Sequence, residues 1–299
     1  MKTILVCRPD REAIELANRD PKKYLFREFI NIDDVKSQHL KLKTTLRKNS
    51  QHYIDIYDYI PKGTSPDLYT NLLFTRDVFI KTPKGVIIGR MKEGVRDYEI
   101  NLIKHILEKL SVEPIYECQE DEILEGGDYC LHDGITFIAI GTRTNITAVK
   151  KLIEKDLFGT DKIAVIYPLH RDDDMHRIHL DCYFSAFGYK ECVLWEELIR
   201  MESNFERKVI EYIRQPDGTY QQQEQQKRLY EYLVDNRYDV IPLSTESHYK
   251  YGCNILELNN GTILVQDEES HKKIKNSIFV EFNEIHNMYG GIHCATNMI

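Results

Sequence analysis

The sequence predicts an α/β ring assembled from one small unit used several times. Three observations predict it: glycine-tipped hairpins recur, helical patterns follow several of them, and no nucleotide-binding loop interrupts the series. Thr3–Cys7 is the first strand. Asn71–Arg90 (NLLFTRDVFIKTPKGVIIGR) reads as strand, turn at Pro83-Lys84-Gly85, strand. Glu125–Gly141 repeats this around Asp133-Gly134, Asn254–Gln266 around Asn260-Gly261, and a weaker copy, His179–Trp195, turns near Gly188. Turn residues ending in Gly between β-branched and aromatic runs are the strongest short-range hairpin signal. Among the helices, Arg96–Leu110 places Ile100, Ile103, Leu107 and Leu110 along one face. Asn145–Phe158 starts at an Asn cap and buries Val149, Leu152 and Ile153, and His271–Ile274 is a shorter candidate. The turn glycines at 85, 134, 188 and 261 give a period of about 50–70 residues. A fifth unit can be assembled from the first strand and the chain's far end. Such a repeat means an α/β or α+β ring, not a two-domain Rossmann chain. Neither GxGxxG nor GxxxxGK[ST] occurs, so nucleotide binding by those routes has no support.

Two stretches fall outside the repeat on this reading. Arg11–Asn49 is charged with helical patches. The other, 196–236, reads as a helical excursion with a polar tract (Gln221–Gln226) after the Pro216-Asp217-Gly218 turn. It is either a solvated surface segment or a lid over a site. No flexible linker divides the chain, so 1–299 is expected to be a single domain.

The 299 residues are 42% hydrophobic and 29% charged, an ordinary globular composition. Forty basic against 48 acidic side chains leave a net charge of −8, which argues against a nucleic-acid face. A small cationic or zwitterionic substrate fits better. The start has an apolar run of only four residues, Ile4–Cys7, too short for a signal peptide, and no run reaches membrane-spanning length. Seven cysteines, an odd number without a CxxC pair, support neither a disulfide framework nor a zinc site. The expectation is a cytoplasmic protein with no membrane partner.

Reactive side chains concentrate beside turns at four places: Phe74-Thr75-Arg76-Asp77, Glu125-Gly126-Gly127-Asp128, His179-Leu180-Asp181, and Gly290-Gly291-Ile292-His293-Cys294. Together they offer a thiol nucleophile, an imidazole acid/base and carboxylates that grip a cation. Each alone has a plainer reading. Cys294 equally suits a buried small hydrophobe, His179 a packed or solvated imidazole, Arg76-Asp77 a strand-end pair, and Glu125 a turn residue. On a strand, His179 and Asp181 would share a face, and a carboxylate there would raise the imidazole pKa.

The order FTRD, EGGD, HLD, then GGxHC near the C-terminus resembles the arginine deiminase and amidinotransferase superfamily. The resemblance spans about Asn71 to Cys294. It implies the pentein fold, a five-fold pseudosymmetric α/β propeller of ββαβ units, and a catalytic role for the domain. It further implies that Cys294 attacks a guanidinium carbon to form a covalent amidino-thioether. His179 would protonate departing ammonia and then activate water. Asp77 and Asp181 would accept hydrogen bonds from the guanidinium, whose planar fork suits carboxylates, and Glu125 would support the imidazole. No metal and no cofactor are expected.

For the substrate's other end, Asn71, Arg96 and Arg143 look like the family's carboxylate-binding residues, with Phe74 in the same pocket. Two arginines there would select an α-amino acid over agmatine, although both could also be helix-surface charges. The resemblance thus implies a hydrolase acting on free L-arginine and releasing citrulline and ammonia. Within the superfamily the alternatives are an arginine dihydrolase, giving ornithine and ammonia, and an amidinotransferase; outside catalysis, a non-catalytic pentein. The chain departs from longer arginine deiminases in leaving no room before Asn71 for their helical insertion. His293 before Cys294 is commoner in amidinotransferases and agmatine deiminases. Dimethylarginine hydrolases usually lack the acid present here as Asp181. A homo-oligomer remains an allowed arrangement.

Overall fold

A computed structural model describes residues 2–170, 173–201 and 203–299. Strand β1 (Ile4–Val6), wholly buried, leads through helices α1 (Arg11–Ala17) and α2 (Ile32–Lys48) to β2 (Tyr53–Asp55), which pairs with β1 in parallel. A parallel partner is out of reach of a tight turn, so a crossover helix is required. Asn31 caps α2 by accepting hydrogen bonds from the Asp33 and Asp34 amides, and Ile32, Val35, Leu42 and Leu46 form its buried stripe.

The next unit repeats this connection. β3 (Phe79–Lys81) and β4 (Val86–Ile88) form an antiparallel hairpin, α3 (Asp97–Lys109) crosses over, and β5 (Pro114–Glu117) pairs in parallel with β4. β6 (Tyr129–His132), β7 (Ile135–Ala139), α4 (Ile146–Glu154) and β8 (Lys162–Pro168) do the same. The hairpin of β9 (Phe184–Phe187) and β10 (Glu191–Trp195) is followed by β11 (Arg207–Arg214), β12 (Tyr220–Gln222) and β13 (Lys227–Arg228). Only then does α5 (Leu229–Asp235) cross to β14 (Asp239–Leu243), parallel to β10. After the short α6 (Thr245–Tyr249), the units end with β15 (Leu256–Glu257), β16 (Ile263–Val265), α7 (Glu268–Lys273) and β17 (Ser277–Phe279). Finally α8 (Asn283–His286) precedes β18 (Asn297–Met298), which pairs antiparallel with β1. The sheet β18–β1–β2 therefore has the same order as the other four, its hairpin strands drawn from opposite ends of the sequence. Thr3 and Ile299 exchange backbone hydrogen bonds of 3.1 and 3.0 Å beside them.

Several sequence expectations need correction. Arg11–Asn49 is not outside the repeat, because α2 is the crossover helix of the unit that closes the ring. In the stretch 196–236 strand outweighs helix. β11 extends the β6–β7–β8 sheet by pairing with β8 from Arg207 opposite Pro168 to Ile213 opposite Lys162, and β12 and β13 pair with β11. RKVIEYIR is rich in β-branched and aromatic residues, which suit a sheet better than a helix; only α5, a crossover helix, is helical as expected. The first hairpin begins at Phe79, with residues 71–78 in turns. In α3 the buried face is Leu102, Ile103, Ile106 and Leu107, while Ile100 and Leu110 are partly buried. No helix among the described residues is long and apolar enough to cross a membrane.

The core is divided among the units. One cluster joins Ile4, Val6, Leu42 and Phe282 to Ile292, Cys294 and Ala295, so the backbone carrying Cys294 is seated by core packing. Another joins Leu5 to Val78, Phe79, Ile88 and Met91. Leu5 lies on the central strand of the closing sheet with no exposed surface. Leu5→Ala is expected to lower unfolding stability by about 2–5 kcal/mol. The half-exposed Leu131→Ala should stay within about 0.5 kcal/mol. Urea unfolding of the three proteins measures both.

Candidate active site

Immediately before the first strand of each hairpin the chain makes a tight turn, and the five turns converge. They are residues 69–78 before β3, the 3₁₀ turns Gly126–Asp128 before β6 and Leu180–Cys182 before β9, residues 250–254 before β15, and residues 289–295 before β18. Each is hydrogen-bonded to the next. The Gly126 amide donates to the Asp77 carbonyl (2.9 Å), and the Leu180 amide to Asp128 Oδ1 (3.1 Å). Asn254 Nδ2 donates to the Asp181 carbonyl (3.2 Å), and Asn254 Oδ1 accepts from the amides of His293 (2.9 Å) and Cys294 (3.2 Å). The Arg76 amide donates to the Cys294 carbonyl (3.1 Å) and returns the circuit to the first turn.

Two glycines of the sequence motifs have a steric cause. A Cβ on Gly127 would stand 2.7 Å from His179 Nδ1 and 3.0 Å from Asp77 Oδ1, so any side chain there would displace the imidazole. A Cβ on Gly290 would stand 2.2 Å from the Phe74 ring.

The structure brings the nine expected site residues into one locality. Asn71, Phe74, Asp77, Arg96, Arg143, His179 and Cys294 line a small cavity, with Leu25, Met175, Ile178, Cys182, Met288 and Tyr289 completing its wall. Glu125 and Asp181 stand directly behind His179 and Cys294. The open space is about 30 Å³, room for a water molecule or two. A guest the size of an amino acid therefore requires movement of the apolar rim.

His179 Nε2 lies 2.9 Å from Glu125 Oε2, and its other ring nitrogen is 3.8 Å from Asp77 Oδ1. Burial opposes charge on this imidazole, but Asp77 and Glu125 outweigh burial and push it up to about 10. Burial would raise Glu125 too, yet His179 and then Arg143, whose Nη1 is 3.5 Å away, hold it well below the usual carboxylate range. Asp77 Oδ1 accepts no hydrogen bond, the charged His179 ring standing 3.8 Å away at Nδ1, so one carboxylate oxygen at the cavity wall has its hydrogen-bonding capacity free. Cys294 Sγ is 3.5 Å from Asp181 Oδ2 and 3.1 Å from Asn254 Nδ2. Burial first and Asp181 second hold its thiol well above the ordinary range. The cavity thus carries a charged imidazole and a neutral thiol.

Two expected details come out differently. His179 and Asp181 do not share a strand face: a 3₁₀ turn separates them, and the carboxylates that charge His179 are Asp77 and Glu125. Arg96 reaches the cavity, but its donors are engaged. Nε contacts Glu99 at 2.9 Å, Nη1 contacts Asp77 Oδ2 at 2.6 Å, and Nη2 contacts the carbonyls of Asn71 and Phe74. Arg143 is freer, its Nε having no hydrogen-bond partner.

Sequence reasoning assigned no role to Asn254 or Glu99. Asn254 sits two residues before its hairpin strand, as Asp77 does before β3, and that alignment is the signal that marks it. Asp77, Glu125 and His179 also bring metal-ligand-type atoms within 4.8 Å of one another. Arg96 and Arg143 already face the two carboxylates there.

Known proteins share this architecture. Dimethylarginine dimethylaminohydrolase from Pseudomonas aeruginosa, solved as a cysteine-to-serine variant with citrulline, superposes with a TM-score of 0.70 at 14% identity, covering 99% of this chain and 98% of that one. The N-terminal domain of ArgZ, a cyanobacterial arginine dihydrolase, gives 0.72 at 15% identity over 100% and 98%. At such identity the likeness establishes the fold, and the fold is pentein. In sequence, the uncharacterized protein YkgA of Bacillus subtilis (strain 168) is 22% identical over 99% of this chain and 91% of its own length. An arginine deiminase of Listeria monocytogenes serotype 4b (strain CLIP80459) is 23% identical over 67% of this chain and 52% of that enzyme, so the match spans about half of it. Residues 65–299, which carry all nine expected site residues from Asn71 to Cys294, match the profile of arginine deiminase, and the chain belongs to the arginine deiminase family.

Proposed function

We propose that this chain hydrolyses the guanidino group of free L-arginine through a covalent intermediate on Cys294, releasing ammonia and citrulline. The observation that carries the reading is the small buried cavity where a thiol, a charged imidazole and a carboxylate oxygen free of hydrogen bonds meet. The guanidinium docks against Asp77, with Asp181 beside the sulfur. Its positive charge favours the thiolate, which burial and Asp181 disfavour in the empty site. The thiol proton passes to solvent as the cation binds, and sulfur attacks the guanidinium carbon. Nδ1 of His179, the ring nitrogen not held by Glu125, is assigned the proton that goes to the departing nitrogen, so the C–N bond breaks and ammonia leaves. Neutral His179 then takes a proton from water, the hydroxide attacks the thiouronium carbon, and the C–S bond breaks as the hydroxyl proton passes to sulfur, giving the ureido product and the resting thiol.

Arg143 is the proposed partner of the substrate's α-carboxylate, with Asn71 and Phe74 shaping that end of the cavity. Arg96 is assigned to holding Asp77. A second reading, arginine dihydrolase, is favoured by the end-to-end match with the ArgZ domain; it differs in repeating hydrolysis on citrulline to give ornithine. The reaction is proposed to take place in the cytoplasm, on one catalytic domain, without metal or cofactor.

Incubation with L-arginine, with and without an amine acceptor, separates the outcomes: citrulline for a deiminase, ornithine for a dihydrolase, a new guanidino compound for an amidinotransferase. In the same assay Cys294→Ser is expected to fold normally and lose turnover, because a hydroxyl has no accessible anion near neutral pH. Turnover within about tenfold of wild type would exclude thiol catalysis.

The alkaline limb of kcat/KM reports the His179 proton. With Asp77 and Glu125 opposing burial, that limb is expected at about 10. Glu125→Gln removes a negative neighbour, so the imidazole loses its proton more easily and the limb moves down by at least about one pH unit, toward the ordinary value of about 6.5. A limb that stays in place would detach Glu125 from the proton transfer.

Substrate choice tests the other end of the cavity. Agmatine has no carboxylate and leaves the buried Nε of Arg143 without a partner, which costs more than the lost attraction alone. Arginine should therefore be strongly preferred, and Arg143→Ala should raise its KM while narrowing the preference. Equal efficiency on both substrates would overturn the amino-acid assignment.

A further inference from the structure

His293 has no part in the scheme above, yet its position is defined by contacts on both sides. Its backbone amide and that of Cys294 donate to one acceptor, Asn254 Oδ1, which fixes the base of both side chains. From that base the two side chains reach the same carboxylate oxygen. His293 Nδ1 lies 2.8 Å from Asp181 Oδ2, and Cys294 Sγ lies 3.5 Å from the same atom. The other oxygen, Oδ1, has a much looser neighbour, Cys182 Sγ at 3.9 Å. Asp181 is buried and ionised, with burial opposed chiefly by His293, so the imidazole is the donor and the carboxylate the acceptor.

We propose that His293 is a positioning residue that acts through Asp181: it aims Oδ2 at Cys294 and, by competing for that oxygen, loosens its hold on the thiol proton. Two donors on one carboxylate oxygen weaken each other's bond. Without His293, Oδ2 is left to the thiol, and the full negative charge of Asp181 stands beside the sulfur that must become an anion. The other titratable or charged groups facing this pair are Arg76 and Asp77 from the first lead-in turn, His179 and Cys182 from the third, and Tyr251 from the fourth. Among the described residues only His293 bonds directly to the Asp181 carboxylate with an N–H. The inference rests on reading Cys294 as the nucleophile, but not on the identity of the substrate.

The test is the pH dependence of Cys294 alkylation by iodoacetamide, followed by mass spectrometry of the Cys294 peptide. His293→Leu, or His293→Ala should the first not fold, is expected to slow alkylation at about pH 8 at least tenfold and to move the profile alkaline. His293→Asn places an amide N–H where Nδ1 stands, and should stay within about threefold of wild type. In an Asp181→Asn background, His293→Leu should change nothing further, because the group through which it acts is already neutral. The proposal is overturned by a His293→Leu profile that superimposes on wild type, by His293→Asn as slow as His293→Leu, or by a wild-type Cys294 that is not alkylated at any pH. Should arginine not be consumed while the profiles shift as stated, the substrate reading falls and this one stands.

Discussion

The hydrogen-bonded circuit through the five lead-in turns is the constraint on which the site depends. Turns at this depth leave amides and carbonyls that water cannot reach, and each such group must find a partner. Here several of those partners lie on the neighbouring turn: Gly126 on Asp77, Leu180 on Asp128, the Asn254 side chain on Asp181, His293 and Cys294 on Asn254, Arg76 on Cys294. Satisfying the backbone therefore gathers side chains far apart in sequence around one small cavity. The ring is held at its rim by five packed sheets and at its centre by these few bonds. Asn254 is the most heavily used member, since a single amide bridges two turns and touches the thiol.

Charge is balanced just as locally. Arg96 lies between Asp77 and Glu99, both almost fully buried, and Arg143 and His179 face Glu125. Burial pushes Glu99 and Asp128 up to about 7, so neither is firmly ionised at neutral pH. Buried ion pairs of this kind add little to stability, because desolvation offsets attraction. What they supply is placement: Arg96 donates to one Asp77 oxygen and leaves the other without a hydrogen bond at the cavity wall.

Much of this was legible in the sequence for a local reason. Gly134 and Gly261 mark hairpins because turn chemistry is written in adjacent residues, and Asn145 marks a helix start because a cap acts over three residues. The ordered motifs placed Asp77, Glu125, His179 and Cys294 near one another before any coordinates did. Features that depend on distant pairing were not legible. β11 pairs with β8 across the intervening β9–β10 hairpin, and β12, at a sheet edge, has no need of apolar alternation, so a Gln-rich strand passed for a solvated helix. The role of Arg96 depends on Glu99, three residues on, being buried, whereas its spacing alone allowed a surface pair. The link between His179 and Asp181 was misjudged because it assumed period-two geometry where a 3₁₀ turn intervenes.

The sheet β18–β1–β2 imposes an order on the molecule's assembly. β1 and its hairpin partner β18 are separated by every other element of the ring, so the ring closes through its most distant strand pairing. Such pairings form late and slowly, since a long loop must be closed before any contact is gained. Until β18 docks, the turn bearing Cys294 has no seat against Arg76 and Asn254, and Leu5 lacks the cover of its finished sheet.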